Sequence, residues 1–340
     1  MEKISRQLFL KSLVCPACKI PLVKKDSFLF CSSCRTKYLK EKGIPILLPN
    51  NFKDNNDFLF KKTQIIFFDK WCSIKKKKKS TFTAFEKFFS TEVGNKKINY
   101  SEIEMREMVN SLPKNPWVLE LGCGAGEHSE FIAKLRKDIN LVMIDISLNS
   151  ILETKKRLEN TKLKGNYYYL VADAEKLPFM ANSFSGIIAV MFFHHVFSLD
   201  RCFSQIKRVL KPAGLCLFVD LLYDNPLVVS SRRIFHRLPS WVKQRFIDDY
   251  MLENGEIPDV KIHRIKEIRT AIKKERLKII KEEPHDLFLF IFGAIGIGFP
   301  IFKSLLSEKV LNFFYNMEKR MLKSTFFSNF AGARILWLSH

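Results

Sequence analysis

The segment Glu120-Leu121-Gly122-Cys123-Gly124-Ala125-Gly126 constrains this chain more than any other. Glycines at alternate positions permit a tight turn and let the main chain approach a ligand without Cβ interference. The turn follows an apolar run, Trp117 to Leu121, and leads into Glu127 to Lys137, whose spacing is helical. Strand, glycine turn and helix in that order form the opening unit of a nucleotide-binding α/β sheet. The pattern continues to residue 221. Leu141 to Asp145, Tyr167 to Val171, Gly186 to Met191 and Leu215 to Val219 read as strands, and Leu148 to Asn160 and Leu199 to Leu210 as helices. This alternation predicts an α/β, Rossmann-like parallel sheet with helices on both faces. Ala333 to Leu338 predicts a last strand that returns to the sheet.

Acidic residues give the turn its chemistry. A negative charge at Glu120 repels a pyrophosphate but suits an ammonium group, which favours the methionine end of S-adenosylmethionine over a dinucleotide. Asp145 ends the second strand, where a carboxylate can accept both ribose hydroxyls. Asp173 follows the third and is placed to accept the adenine amino group, with Ala174 beside it. The expected cofactor residues are therefore Glu120, Gly122, Cys123, Gly124, Gly126, Asp145, Ile146, Asp173 and Ala174, with Met191 and Phe192 lining the adenosine side. Cys123 reads as a small filler in the turn.

Val118 to Ala133, Val171 to Phe184 and Lys207 to Gly214 together resemble the class I methyltransferases of the type 11 group. Asp173-Ala174-Glu175-Lys176-Leu177-Pro178-Phe179 is similar to that family's D-A-x-x-L-P-F motif. Arg208-Val209-Leu210-Lys211-Pro212-Ala213-Gly214 is similar to its R-V-L-K-P-G-G turn, with Ala213 replacing the first glycine. The resemblance implies a seven-stranded sheet with only the final strand antiparallel, and a methyl transfer from S-adenosylmethionine.

Cys15-Pro16-Ala17-Cys18 and Cys31-Ser32-Ser33-Cys34 are two C-x-x-C knuckles. Four thiolates from two tight turns close a tetrahedral site, so Cys15, Cys18, Cys31 and Cys34 are expected to hold a structural Zn2+ with no position left for catalysis. The Gly43-Ile44-Pro45-Ile46-Leu47-Leu48 ending resembles small zinc ribbons of the Trm112 type, which occur fused ahead of methyltransferase domains. A ribbon also precedes the catalytic domain of ribosomal-RNA guanine methyltransferases, whose fourth ligand is usually His where this chain has Cys34.

Methyl transfer needs alignment, and a base where the acceptor must lose a proton. His194 and His195 follow strand four at its C-terminal end, where ligands sit in such sheets, and His195 is the favoured catalytic candidate. Asn-Pro-Pro-Tyr, the mark of amino-directed DNA methyltransferases, does not follow strand four.

The expected organisation is a zinc ribbon over 1–50, a helical linker or cap over 51–110, the cofactor-binding core over 111–222, and a lid with the final strands over 223–340. Asn225-Pro226 and Glu256-Ile257-Pro258 look like lid motifs of type 11 members, with Ile257 in place of a histidine. The apolar stretch 287–302 is either a buried hairpin or a surface that meets lipid. The net charge of +22 admits a nucleic-acid or anionic-membrane partner, or simply a lysine-rich composition. The Lys75 to Lys79 run reads as solvated. With no secretory signal and paired cysteines, a cytoplasmic protein, peripheral to the membrane at most, is expected. The reading favours O-methylation of a small or lipid-linked acceptor over RNA; a non-catalytic scaffold is the third alternative.

Overall fold

The computed structural model describes residues 2–49, 55–75, 92–221, 261, 263–285, 308–328, 331 and 333–340. Along the chain run α1 (Glu2–Ser12), β1 (Val23–Lys24), β2 (Phe28–Phe30), β3 (Lys37–Glu41), β4 (Ile44–Leu47), α2 (Asn55–Lys75) and α3 (Glu92–Ser111). The alternating region follows as β5 (Trp117–Leu121), α4 (Glu127–Leu135), β6 (Asn140–Asp145), α5 (Leu148–Thr161), β7 (Asn166–Ala172), β8 (Phe184–Val190), α6 (Leu199–Val209) and β9 (Leu210–Leu221). The C-terminal part supplies α7 (Ile265–Lys274), β10 (Lys278–His285), α8 (Glu308–Met321) and β11 (Ala333–Ser339).

Every residue of β6 is buried, as a strand covered on both faces requires. The helices that cover it are amphipathic and capped. Ser147 accepts from the Ser150 N–H at the start of α5, and Ser198 from the Arg201 N–H at the start of α6. Leu199, Cys202, Phe203, Ile206 and Val209 form the inward stripe of α6 at helical spacing.

The described strands form one sheet in the order β1-β2-β3-β4-β7-β6-β5-β8-β9-β11-β10. From β7 to β10 this is the expected seven-stranded arrangement. β5, β6, β7, β8 and β9 pair in parallel, and β11 runs antiparallel to both β9 and β10. The strand order reverses at β5 and β8, which opens a crevice above their C-terminal ends.

In the first fifty residues β4 pairs in parallel with β7, Ile46 opposite Val171 and Leu47 opposite Ala172, so the cysteine hairpins extend the main sheet. β10 falls within 223–340, where the final strands of the sheet are expected. It carries Lys278, Lys281, Glu282, Glu283 and Pro284 because it is the sheet's edge, where charge and proline are tolerated and alternation is blurred. The expectations for 287–302, for Asn225-Pro226 and Glu256-Ile257-Pro258, and for most of the Lys75 to Lys79 run lie outside the described residues.

Candidate active site

A cavity of about 270 Å3 sits in the crevice above β5 and β8. Its floor is the glycine turn. Gly122 has φ +69°, and a Cβ there would stand 2.6 Å from the Phe192 ring; Gly126 has φ +80°, and a Cβ would meet the Thr154 backbone at 2.9 Å. Only glycine satisfies both conditions at either position. The Gly122, Cys123, Gly124 and Ala125 stretch then faces the cavity directly.

Asp145 anchors this turn. Its Oδ2 accepts from the Gly124 N–H at 3.0 Å and its Oδ1 from the Ser147 N–H at 2.9 Å. Complete burial outweighs these donors and lifts its carboxyl to about 6. A carboxylate offers about four lone-pair sites, so each oxygen keeps capacity for a ribose hydroxyl. Across the cavity Asp173 Oδ1 accepts from the Glu175 N–H at 2.9 Å.

Of the residues expected to bind cofactor, Gly122, Cys123, Gly124, Asp145, Ile146, Asp173, Ala174 and Met191 line this cavity, together with Phe192. Glu120 and Gly126 do not. Glu120 lies beneath the turn, 3% exposed, and accepts a 2.5 Å hydrogen bond from the Ser129 hydroxyl of α4. Burial there pushes its carboxyl up to about 8. Gly126 shapes the start of α4 against Thr154.

The two histidines diverge. His194 turns away from the cavity, and its Nδ1 lies 2.7 Å from Asp220 Oδ1, while the Phe193 N–H donates to the other oxygen of Asp220. His195 lines the cavity, edge-on to Phe68 at 5.1 Å. Its Nδ1 is buried with no hydrogen-bond partner among the described residues. Burial, reinforced by neighbouring His194, holds its pKa down at about 3, so the ring is neutral.

Sequence reasoning expected a helical linker or cap over 51–110 but named none of the residues with which α2 roofs the cavity, Lys61, Gln64 and Phe68. Lys61 is almost fully buried. Its Nζ reaches Asp173 Oδ2 at 2.7 Å, Asp57 at 2.9 Å and Glu175 at 3.5 Å. Arg201 joins from α6, 2.8 Å from Asp57 and 2.6 Å from Glu175. Burial works against the Lys61 charge, but Asp173 and Glu175 more than offset it and raise its pKa. The one available signal was Asp57 and Lys61 at i,i+4 in a phenylalanine-rich helix. Nothing in the sequence told that this pair faces inward.

The four cysteines converge as expected. The sulfurs of Cys15, Cys18, Cys31 and Cys34 all lie within 4.8 Å of one another, and the Tyr38 hydroxyl sits 3.1 Å from Cys15 Sγ. Four sulfurs and no oxygen form a donor set suited to a structural Zn2+. This cluster is tied to the loop that follows Asp173. The Val14 N–H donates to Pro178 O at 2.9 Å, the Met180 N–H to Ser12 O at 2.9 Å, and Lys19 Nζ to Leu177 O at 3.1 Å.

A family model described as a methyltransferase domain matches residues 119–218. The chain is 29% identical over 229 residues to an uncharacterized protein of Methanocaldococcus jannaschii, covering 64% of this chain and 85% of that one. It is 26% identical over 183 residues to an O-methyltransferase of Pyrenophora dematioidea, covering 51% and 68%. A ubiquinone/menaquinone biosynthesis C-methyltransferase of Wigglesworthia glossinidia brevipalpis is 28% identical over 127 residues, 37% of this chain and half of that relative. The glycine turn, the two strand-end aspartates and the sheet order agree with these matches: residues 119–218 form a methyltransferase domain, of the class I, S-adenosylmethionine-dependent kind.

Proposed function

We propose that the acceptor is a small or lipid-linked molecule methylated on oxygen, with His195 taking the acceptor's proton. The observation that carries this reading is the buried, unpartnered Nδ1 of a neutral imidazole in the cavity, flanked by Phe68, Met191, Phe192 and Val196. Such a nitrogen accepts a hydrogen bond from a hydroxyl, and the apolar side chains around it exclude competing water. The cofactor, when bound, supplies an electrophilic methyl group on a sulfonium. Asp145 would hold the ribose hydroxyls and the Gly122 to Ala125 backbone the methionine portion, while Asp173, steadied by Lys61, would take the adenine amino group. His195 Nδ1 would accept the proton that the acceptor oxygen loses on methylation. The relative from Pyrenophora dematioidea, an O-methyltransferase, fits this choice of atom.

We further infer that Cys15, Cys18, Cys31 and Cys34 bind Zn2+ as a folding element of the ribbon. The test of the acceptor is transfer of labelled methyl from S-adenosylmethionine into extracts of cells lacking the gene, separated into lipid, water-soluble and RNA fractions. Label in the lipid or soluble fraction, released as a methyl ether or ester, is expected. Label confined to RNA would overturn the reading and recast the basic surface as a phosphate grip.

A further inference from the structure

Tyr38 brings a hydroxyl into an apolar place. It sits on β3 opposite Leu29 of β2, and each of the two is 2% exposed. Phe9, Leu13, Cys15 and Cys31 belong to the same buried cluster. A buried hydroxyl has lost its bonds to water, so it is placed where a protein group replaces them. Among the described residues the partner of this one is Cys15 Sγ, at 3.1 Å, and Cys15 is itself fully buried. A neutral thiol is a weak acceptor and a poor match for a buried phenol. A thiolate is a strong acceptor, because the bond to it is assisted by charge. Phenylalanine would fill the same volume without the hydroxyl, so a tyrosine here is explained by a deprotonated Cys15, the state that metal coordination enforces. The cluster has a second hydroxyl neighbour at its opposite corner, where Cys34 Sγ lies 3.2 Å from Thr36 Oγ1. Cys34 is exposed, so water can take the place of the Thr36 hydroxyl there.

We propose that Tyr38 is the outer-sphere donor that sets the metal affinity of the cysteine cluster, its hydroxyl donating to the Cys15 thiolate. The inference rests on the reading of the four cysteines as a Zn2+ site and names the residue that tunes it. A zinc-bound sulfur still carries negative charge, and burial has removed the water that would otherwise solvate it. The phenol O–H offsets that charge and fixes the direction of the Cys15 side chain. The backbone of the same knuckle is set independently: the Lys19 N–H donates to Cys15 O at 2.9 Å, and the Cys15 N–H to Ile20 O at 2.8 Å. Tyr38 also stands where two routes to the catalytic domain meet. Val14, next to Cys15, donates its N–H to Pro178 O. β3 pairs with β4 at Lys40 and Glu41, and β4 pairs with β7. The Thr36 hydroxyl, at the wet corner, adds little to the affinity.

The experiment is competition for Zn2+ between a chromophoric chelator and the full-length protein, purified with its metal, in wild-type, Tyr38→Phe and Thr36→Val forms. Tyr38→Phe should lower Zn2+ affinity by about 10–100-fold, the range for a lost outer-sphere partner. Thr36→Val should lower it by about threefold or less, since water replaces the hydroxyl. Tyr38→Phe keeps the ring and its packing, and circular dichroism at saturating Zn2+ checks the fold. Co2+ exchanged into the site gives a readout that packing alone would not move. Loss of the O–H raises the energy of the sulfur lone pairs, so the sulfur-to-cobalt charge-transfer band of Tyr38→Phe should shift to lower energy. Equal Zn2+ affinity in wild type and Tyr38→Phe would overturn the inference and leave the metal site standing. Lowered affinity with an unmoved cobalt band would overturn it as well, by assigning the tyrosine a packing role. So would equal losses from Tyr38→Phe and Thr36→Val. A wild-type protein that binds neither Zn2+ nor Co2+ would overturn the reading of the four cysteines, and the inference with it.

Discussion

Asp173 and Lys61 form a pair whose worth depends on what surrounds it. Two cations, Lys61 and Arg201, face three buried carboxylates, Asp57, Asp173 and Glu175, so removing one cation leaves uncompensated negative charge. Lys61→Met is expected to cost about 3–5 kcal/mol of stability and to weaken binding of S-adenosylhomocysteine; thermal unfolding and calorimetric titration check the two effects. His195→Ala should lower kcat by about 10²–10⁴-fold and leave affinity for S-adenosylhomocysteine little changed. Because burial holds His195 down at about 3, the wild-type rate should show no acid limb near the ordinary histidine value of 6.5. Glu120 titrates in the opposite direction. Its carboxyl stands at about 8 in the folded chain against an ordinary value of 4.5, so between these limits the folded protein keeps a proton that the unfolded chain has released. Stability without cofactor should therefore fall as pH rises through that window. Glu120→Gln should remove the fall between about pH 6 and 8, leave below it the part due to Asp145, and gain on the order of a few kcal/mol above pH 8; urea titrations across the range measure it.

At the scale of elements, the path from the cysteine cluster to the cofactor cavity is short. β4 pairs with β7 at Val171 and Ala172, immediately before Asp173, and the backbone on either side of Leu13 bonds to Pro178 and Met180. Closing the four-sulfur site fixes the knuckle at Cys15, and that knuckle fixes the loop after Asp173. Chelation of the Zn2+ proposed for that site, or Cys15→Ser, should therefore weaken S-adenosylhomocysteine binding by about tenfold even though no cysteine of the cluster touches the cavity. Unchanged affinity in the chelated protein would show that the loop holds its shape without the ribbon. The clamp on the other side is made by Lys261 and His263: the Lys261 N–H donates to His194 O, Lys261 Nζ to Phe197 O, and His263 Nε2 lies 3.1 Å from Val196 O. The short helical turn that carries His195 is thus held by Lys261 and His263 as well as by Asp220.

Across the whole molecule, the cysteine hairpins and the catalytic sheet share one core. Phe9 of α1 stacks on Tyr168 of β7 at 4.3 Å, and Tyr168 stacks on Trp117 of β5 at 5.3 Å. Phe9 is 5% exposed and belongs to the same buried cluster as Leu119, Val142 and Phe179. Phe9→Ala should cost about 3–5 kcal/mol in a single cooperative transition, read by chemical denaturation with two probes. Two separated transitions would mean that the N-terminal part folds independently. Pairing of β4 also covers an edge of β7 that would otherwise be open to another chain. Among the described residues no helix is long and apolar enough to cross a membrane.

Much of the catalytic domain was legible because its signals are local. Strand β5 was expected at Trp117 to Leu121 and runs there; the helices after it begin where a glycine turn or a serine cap ends the preceding loop. Asp145 and Asp173 were found because residues that end parallel strands must face the same crevice. The cysteine pairs were found because two C-x-x-C turns converge by themselves. Other features depend on direction, which sequence spacing leaves free. Glu120 has the right charge, but a one-residue step along a strand reverses the side chain, and it points down to Ser129. His194 and His195 are neighbours with similar chemistry, and only the position of Asp220 on β9 decides which of them enters the cavity. The sequence by itself determined the strand–turn–helix alternation, the cofactor class and the four-sulfur cluster, because each is set by residues close together in the chain. Only the tertiary structure decided that α2 roofs the cavity with a lysine, because that follows from buried charges 112 residues apart, Lys61 and Asp173, finding each other.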